Sequence, residues 1–215
     1  RSRGQRVLRV ERHINGTGAV AGASHPRKAV DSLVGVADDG LELSQLGLEL
    51  AAPASVVALA RVAAPFECVI LGEGNHRVKC EQLCRKLGLQ ARVSFKGYVP
   101  QAQVKSFYAE ASAALVSSVW PEPFGMVGIE AMRHGLPVVA FDAGGIRDWL
   151  RDGETGFLVP WMDAAQYAAR VEQLLRDKTL ARALGERGRQ LAAERYDFAR
   201  YIRNLEDLFT RVLRE

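Results

Sequence analysis

Apolar positions along the 215-residue chain fall into two regimes. From Phe66 to the C-terminus, short apolar runs alternate with stretches of helical period. Glu67 to Leu71, Val93 to Lys96, Ala113 to Ser117, Pro137 to Phe141 and Phe157 to Val159 read as strands. Between them, helices are predicted over Val78 to Leu87, Gln103 to Ala111, Phe124 to His134 and, briefly, Ile146 to Arg151. Three closing helices follow over Ala164 to Leu175, Leu180 to Glu194 and Phe198 to Leu213. Gly88 and Gly135 stand where helix C-termini need a left-handed residue. Before Phe66 the pattern is irregular. Arg6 to Val10 reads as a strand leading into the Gly-rich loop Asn15 to Gly18, and Arg27 to Val36 reads as a helix. Asp38-Asp39-Gly40 signals a turn, and Ala54 to Ala63 reads as a helix with Ser55 as its cap.

Strands alternating with helices of about ten residues predict an α/β fold: a Rossmann-like, doubly wound parallel sheet with helices on both faces. Ligands of such sheets bind beyond the carboxyl ends of the strands, which nominates loops 72–76, 97–102, 118–126 and 142–146. The expected organisation is a poorly defined segment over 1–65 and one domain over 66–215. The first segment is read as partly the start of that domain or as a remnant of another.

Composition alters this picture little. The chain is 48% hydrophobic and 25% charged, as in ordinary globular domains, and its size supports a core without disulfides or metal. A net charge of +4 without a Lys/Arg run or an RNA-binding motif argues against a nucleic-acid partner. A basic face suits anionic substrates or an anionic membrane surface, although scattered solvated charge is the simpler account. Three cysteines, Cys68, Cys80 and Cys84, form no disulfide framework and fit a reducing compartment. The expected location is therefore cytoplasmic, with peripheral contact at the inner face of a membrane. His76, Cys80 and Cys84 share a helix stripe, but a fourth zinc ligand is absent and a helix face of small apolar residues explains them better. No metal site is expected.

The densest candidate chemistry is Ser118-Val-Trp-Pro-Glu-Pro-Phe-Gly-Met-Val-Gly-Ile-Glu130. It puts Glu122 in a loop after a buried strand and Glu130 in the following helix, whose side chains lean back towards the helix start. The unpaired N–H groups around Gly125 to Val127, together with the helix dipole, make an anion site. Two carboxylates beside an anion site suit a ligand that carries both hydroxyls and phosphate.

This segment resembles the E-x7-E motif of the retaining glycosyltransferases of family 4 (group 1), which have the GT-B architecture of two facing Rossmann-like domains. Further blocks agree in order: Val69 to Gly74, Val93 to Pro100, Gly135 to Ala140, Gly144 to Ile146 and Asp152 to Pro160. The resemblance implies that the chain holds the C-terminal, donor-binding half. It implies that Glu122 hydrogen-bonds the donor sugar and is the catalytic candidate, and that Glu130 binds the ribose hydroxyls. The backbone of Phe124, Gly125, Met126 and Val127 then holds the diphosphate and sugar. Tyr98, Val99 and Pro100 line the base pocket, and Gly72 and Gly74 let the backbone pass close to the donor. The family's diphosphate-binding cations match best at Lys28, with Arg27 beside it, while the arginine position falls on Ala23.

The implied activity is metal-independent transfer, with retention, from a UDP- or GDP-linked sugar to a hydroxyl of a sugar or lipid-linked acceptor. No cofactor is implied beyond the nucleotide-sugar substrate. The acceptor domain is expected to precede this one, and the residues before Phe66 are too few for it. A non-catalytic nucleotide-sugar-binding module or partner subunit is the alternative. A glycoside hydrolase leaves the anion site unexplained, and a dinucleotide-dependent oxidoreductase lacks its Gly-rich fingerprint. Trp120, Trp149 and Trp161 are aromatic candidates for sugar stacking or for packing. His134 is read as a helix-end residue. The last helix is amphipathic, and without the acceptor domain it is expected to expose an apolar stripe and self-associate, which sedimentation reads directly.

Overall fold

The computed structural model describes residues 31–36, 54–74, 76–119 and 123–214, with backbone alone for the first stretch. Six parallel strands form one sheet in the order β3-β2-β1-β4-β5-β6. They are β1 (Asp31–Val36), β2 (Phe66–Leu71), β3 (Val93–Gly97), β4 (Ala113–Val116), β5 (Val138–Phe141) and β6 (Gly156–Val159). The helices are α1 over 54–59, α2 (Arg77–Lys86), α3 (Gln101–Glu110), α4 (Met126–Arg133), α5 (Ala164–Arg176), α6 (Lys178–Arg195) and α7 (Phe198–Val212). A 3-10 turn spans Gly144–Asp148.

The central strands explain the double layer. All four residues of β4 and all four of β5 are buried. Ala113, Leu115, Val139 and Phe141 join one apolar cluster with Leu59, Cys84, Tyr167 and Val171. Their alternates Ala114, Val116, Val138 and Ala140 join the other, with Tyr108, Ile129, Met132 and Trp149. Period-two alternation thus sends successive side chains to opposite faces, and an uninterrupted apolar run is what a strand covered on both sides requires. Cys80 and Cys84 lie in the first cluster, and burial pushes the Cys84 thiol up to about 11. They act as small apolar residues.

The element assignments from β2 onward hold to within two residues, except that the short helix read over Ile146 to Arg151 is a 3-10 turn that ends three residues earlier, at Asp148. One is overturned: Asp31–Val36, read as the end of a helix, is a strand hydrogen-bonded to β2 on one side and β4 on the other. Leu33-Val-Gly-Val36 is a short apolar run ahead of a turn signal, and pairing with two neighbours overrides its weak helical spacing. The segment before Phe66 therefore supplies the middle strand of this sheet. Residue 54 is already helical, so Ser55 lies inside α1 and not at its cap. The remaining readings before residue 54 lie outside the described residues.

The chain winds outward from β1 to β3, returns to the centre, and winds the other way from β4 to β6. The topological switch lies between β1 and β4, where a doubly wound sheet opens its ligand crevice. Helix α7 packs none of its residues into the core. Phe198, Tyr201, Leu208, Phe209, Val212 and Leu213 are exposed along it, which bears out the expected apolar stripe. The chain is expected to sediment as a concentration-dependent mixture of monomer and larger species, and Leu208→Glu with Phe209→Glu is expected to return it to monomer. A monodisperse monomer at all concentrations would contradict this. Among the described residues no helix is long and apolar enough to cross a membrane.

Candidate functional site

The crevice is built from the loops after β4, β2 and β3. Strand β4 ends at Val116, and the chain reaches α4 through a segment fastened on both sides of the undescribed residues 120–122. On the near side, the Trp161 indole N–H donates to the Val119 carbonyl at 2.8 Å. On the far side, the Trp149 indole N–H donates to the Phe124 carbonyl, and the Phe124 ring meets the Tyr196 ring edge-on at 5.7 Å. Gly145 lies so close that a Cβ there would stand 2.3 Å from the Pro123 carbonyl oxygen. The loop thus rests on the backbone of the 3-10 turn and on a buried tryptophan.

Gly125 then adopts φ 77°, a left-handed conformation open to glycine at little cost, and opens α4. Gly125 offers no side chain to cap this helix, and no acid lies in its first turn. Its first N–H groups face the carboxyl ends of the strands with the positive end of the helix dipole, an arrangement that attracts an anion. Val127 is half-buried and Met126 exposed. Glu130 follows four residues after Met126 on the same helix, half-buried, with its Oε1 accepting from the Gln101 amide at 3.1 Å. Under it lies Tyr108, whose phenol is pushed well up by burial and further by the Glu130 charge. The Tyr108 hydroxyl donates to the Val127 carbonyl at 3.4 Å, and its ring stacks on His134 at 5.2 Å. His134 is the C-cap residue of α4, as read from the sequence.

The other wall comes from the loops after β2 and β3. Gly72, at φ 124°, donates its N–H to the Gly97 carbonyl at 2.9 Å and ties the two loops together. The Gly74 carbonyl accepts from the Arg77 backbone as α2 begins. Glu73 Oε1 accepts from the Arg77 guanidinium at 2.6 Å and from the Tyr98 backbone N–H at 3.2 Å. The Tyr98 side chain is 77% exposed, and Val99 and Pro100 lead into α3.

The structure therefore brings together Gly72, Gly74, Tyr98, Val99, Pro100, Phe124, Gly125, Met126, Val127 and Glu130 around the carboxyl ends of β2, β3 and β4. Glu122, Arg27 and Lys28 lie outside the described residues. In chain order Arg27 and Lys28 precede β1, whereas the resemblance seeks its cations after the first strand. The stretch that does follow β1, residues 37–53, holds Asp38, Asp39, Glu42 and Glu49 and no Lys or Arg. Two contributors escaped the sequence reading, Gln101 and Gly145 as a contact for Pro123, while Trp149, read for stacking or for packing, is 1% exposed and packs in the core.

A parallel sheet wound both ways from a central switch, with a glycine-opened helix start and a carboxylate at that switch, defines a Rossmann-like α/β domain with a ligand crevice. Comparison with known proteins narrows the class. The profile of the glycosyl transferases group 1 matches residues 54–191, and the chain belongs to this family. The N-acetyl-alpha-D-glucosaminyl L-malate synthase of Bacillus anthracis is 32% identical over 162 residues, which are 74% of this chain and 42% of that protein. The lipopolysaccharide core biosynthesis glycosyltransferase LpsE of Rhizobium meliloti (strain 1021) is 36% identical over 121 residues, 56% of this chain and 35% of that one. Among solved structures, sucrose-phosphate synthase from Thermosynechococcus elongatus superposes with a TM-score of 0.74 at 26% identity, over 85% of this chain and 46% of that one. HepE of Anabaena, solved with UDP and glucose, shares the fold with a TM-score of 0.74 at 24% identity, over 85% of this chain and 49% of that one. The chain thus spans 35–42% of the length of these two curated relatives.

Proposed function

We propose that this chain carries the donor site of a retaining glycosyltransferase, which moves a sugar from a UDP- or GDP-linked donor to a hydroxyl of a sugar or lipid-linked acceptor in glycan or glycolipid synthesis. The observation that carries the reading is the start of α4. A helix opened by left-handed Gly125 lies at the carboxyl end of β4, with Glu130 one turn further along the same helix. The helix start takes the diphosphate, Glu130 takes the ribose hydroxyls, and the Tyr98 to Pro100 loop takes the base. Glu122 takes hydroxyls of the donor sugar.

The chemistry follows from this placement. The bond between the anomeric carbon and the diphosphate oxygen breaks, the acceptor oxygen bonds to the anomeric carbon on the same face, and the acceptor proton passes to the leaving phosphate. The protein's part is to orient the sugar and to stabilise charge on the leaving group through backbone N–H groups held in place before the reaction. No metal and no residue acting as nucleophile is needed for this route. Contact with an anionic membrane face is part of the same proposal and rests on the net charge of +4.

One observation favours a second reading, a nucleotide-sugar-binding module that does not turn over. Residues 37–53 after β1 contain no cation to meet a diphosphate. Incubation with UDP-glucose or GDP-mannose and a panel of hydroxyl acceptors separates the two. Release of nucleoside diphosphate, with the product anomeric configuration matching the donor by proton NMR, supports transfer. Binding without release supports the module, and an inverted product contradicts retention.

A further inference from the structure

We propose that Gln101 is a positioning residue for ribose recognition, holding the Glu130 carboxylate aimed into the crevice. This rests on the reading of Glu130 as the ribose ligand.

Gln101 is the first residue of α3, and its amide nitrogen lies 3.1 Å from Glu130 Oε1 across 29 positions of sequence. The amide is placed by a stiff support. The Pro100 carbonyl accepts from Gln103 at 2.8 Å to start the helix, the Tyr98 N–H is bound by Glu73, and Gly72 is tied to Gly97. The start of α3 is thus fixed to the β2 and β3 ends of the crevice, while Glu130 rides on α4 behind β4. The bond between Gln101 and Glu130 joins the wall assigned to the base with the helix assigned to ribose and diphosphate.

The residue types suit the task. A free Glu side chain samples many rotamers, and ordering it on binding costs conformational entropy. A bond already made to one oxygen removes part of that loss. Glu130 keeps its Oε2 and further lone pairs for two hydroxyls. An amide donor leaves the carboxylate ionised and uncompensated, where a Lys or Arg would compete with the ribose for it. Gln101 is exposed, and its amide oxygen is an acceptor that a Lys lacks.

The test is calorimetric titration of the full chain and of Gln101→Ala, Glu130→Ala and the double variant, with UDP, GDP and their 2′-deoxy forms. Gln101→Ala is expected to weaken the ribonucleotide about three- to tenfold, and the 2′-deoxy form less. In the Glu130→Ala background it is expected to change nothing further, because its effect passes through that carboxylate. Additive losses, or equal losses for ribo- and deoxynucleotide, overturn the proposal. If Glu130→Ala weakens binding and Gln101→Ala does not, the proposal fails and the donor site stands. If Glu130→Ala leaves binding unchanged, the site reading fails and takes the proposal with it.

Discussion

Trp149→Ala is expected to lower the stability of the chain by about 3–5 kcal/mol, the range for removing a large aromatic from a packed core. Trp149 is 1% exposed and lies in the cluster with Ile129, Ile146 and Leu150. Its ring runs against α4 so closely that a Cβ on Gly128 would stand 2.0 Å from it, so no neighbour is ready to fill the hole. The indole N–H is bound to the Phe124 carbonyl, and its loss removes one of that loop's anchors. On a total of about 5–15 kcal/mol such a loss leaves a marginal fold. Urea unfolding reads it as a fall in midpoint at unchanged slope. Trp149→Phe keeps most of the volume, loses the N–H, and is expected to cost about 1 kcal/mol for the bond plus a small packing term. An alanine variant with the parental midpoint would show that the 3-10 turn, and not this ring, supports α4.

Glu130→Ala is expected to act on ligand binding and to leave the fold intact. The residue is half-buried and its described side-chain contact is the amide of Gln101, so truncation removes little apolar packing. Two hydroxyls bonded to an ionised carboxylate contribute about 1.5–3 kcal/mol in a partly desolvated site, roughly 10–150-fold in affinity. The unfolding free energy from urea titration should change by less than about 0.5 kcal/mol, as for a substitution away from the core. A variant that loses affinity and stability together would make Glu130 a structural residue of the α3–α4 contact.

Much of this was legible in the sequence, for reasons that also mark where it stopped. Strands β4 and β5 announce themselves because both faces are covered, which demands unbroken apolar runs. Gly125 and Glu130 were legible because a strand, a Pro/Gly entry and a helix follow one another in chain order, and such a loop can end only at the carboxyl edge of a parallel sheet. Strand β1 was not legible. Asp31 and Ser32 give it a polar start that reads as helical, and its strand state is decided by pairing with β2 and β4, which lie 35 and 80 residues further along. Gln101, Gly145 and Trp149 act through partners more than twenty positions away, and no local pattern reports such contacts. The Gly144-Gly145 pair was visible as a turn, yet only the fold shows that its missing side chain leaves room for the Pro123 carbonyl.

The most direct test of the donor site is calorimetric titration of the chain with UDP, GDP and ADP, with Glu130→Ala in parallel. The account predicts that UDP or GDP binds with micromolar affinity and that the variant weakens it by about 1.5–3 kcal/mol. Failure of all three nucleotides to bind, or equal binding by the chain and its Glu130→Ala variant, would contradict it.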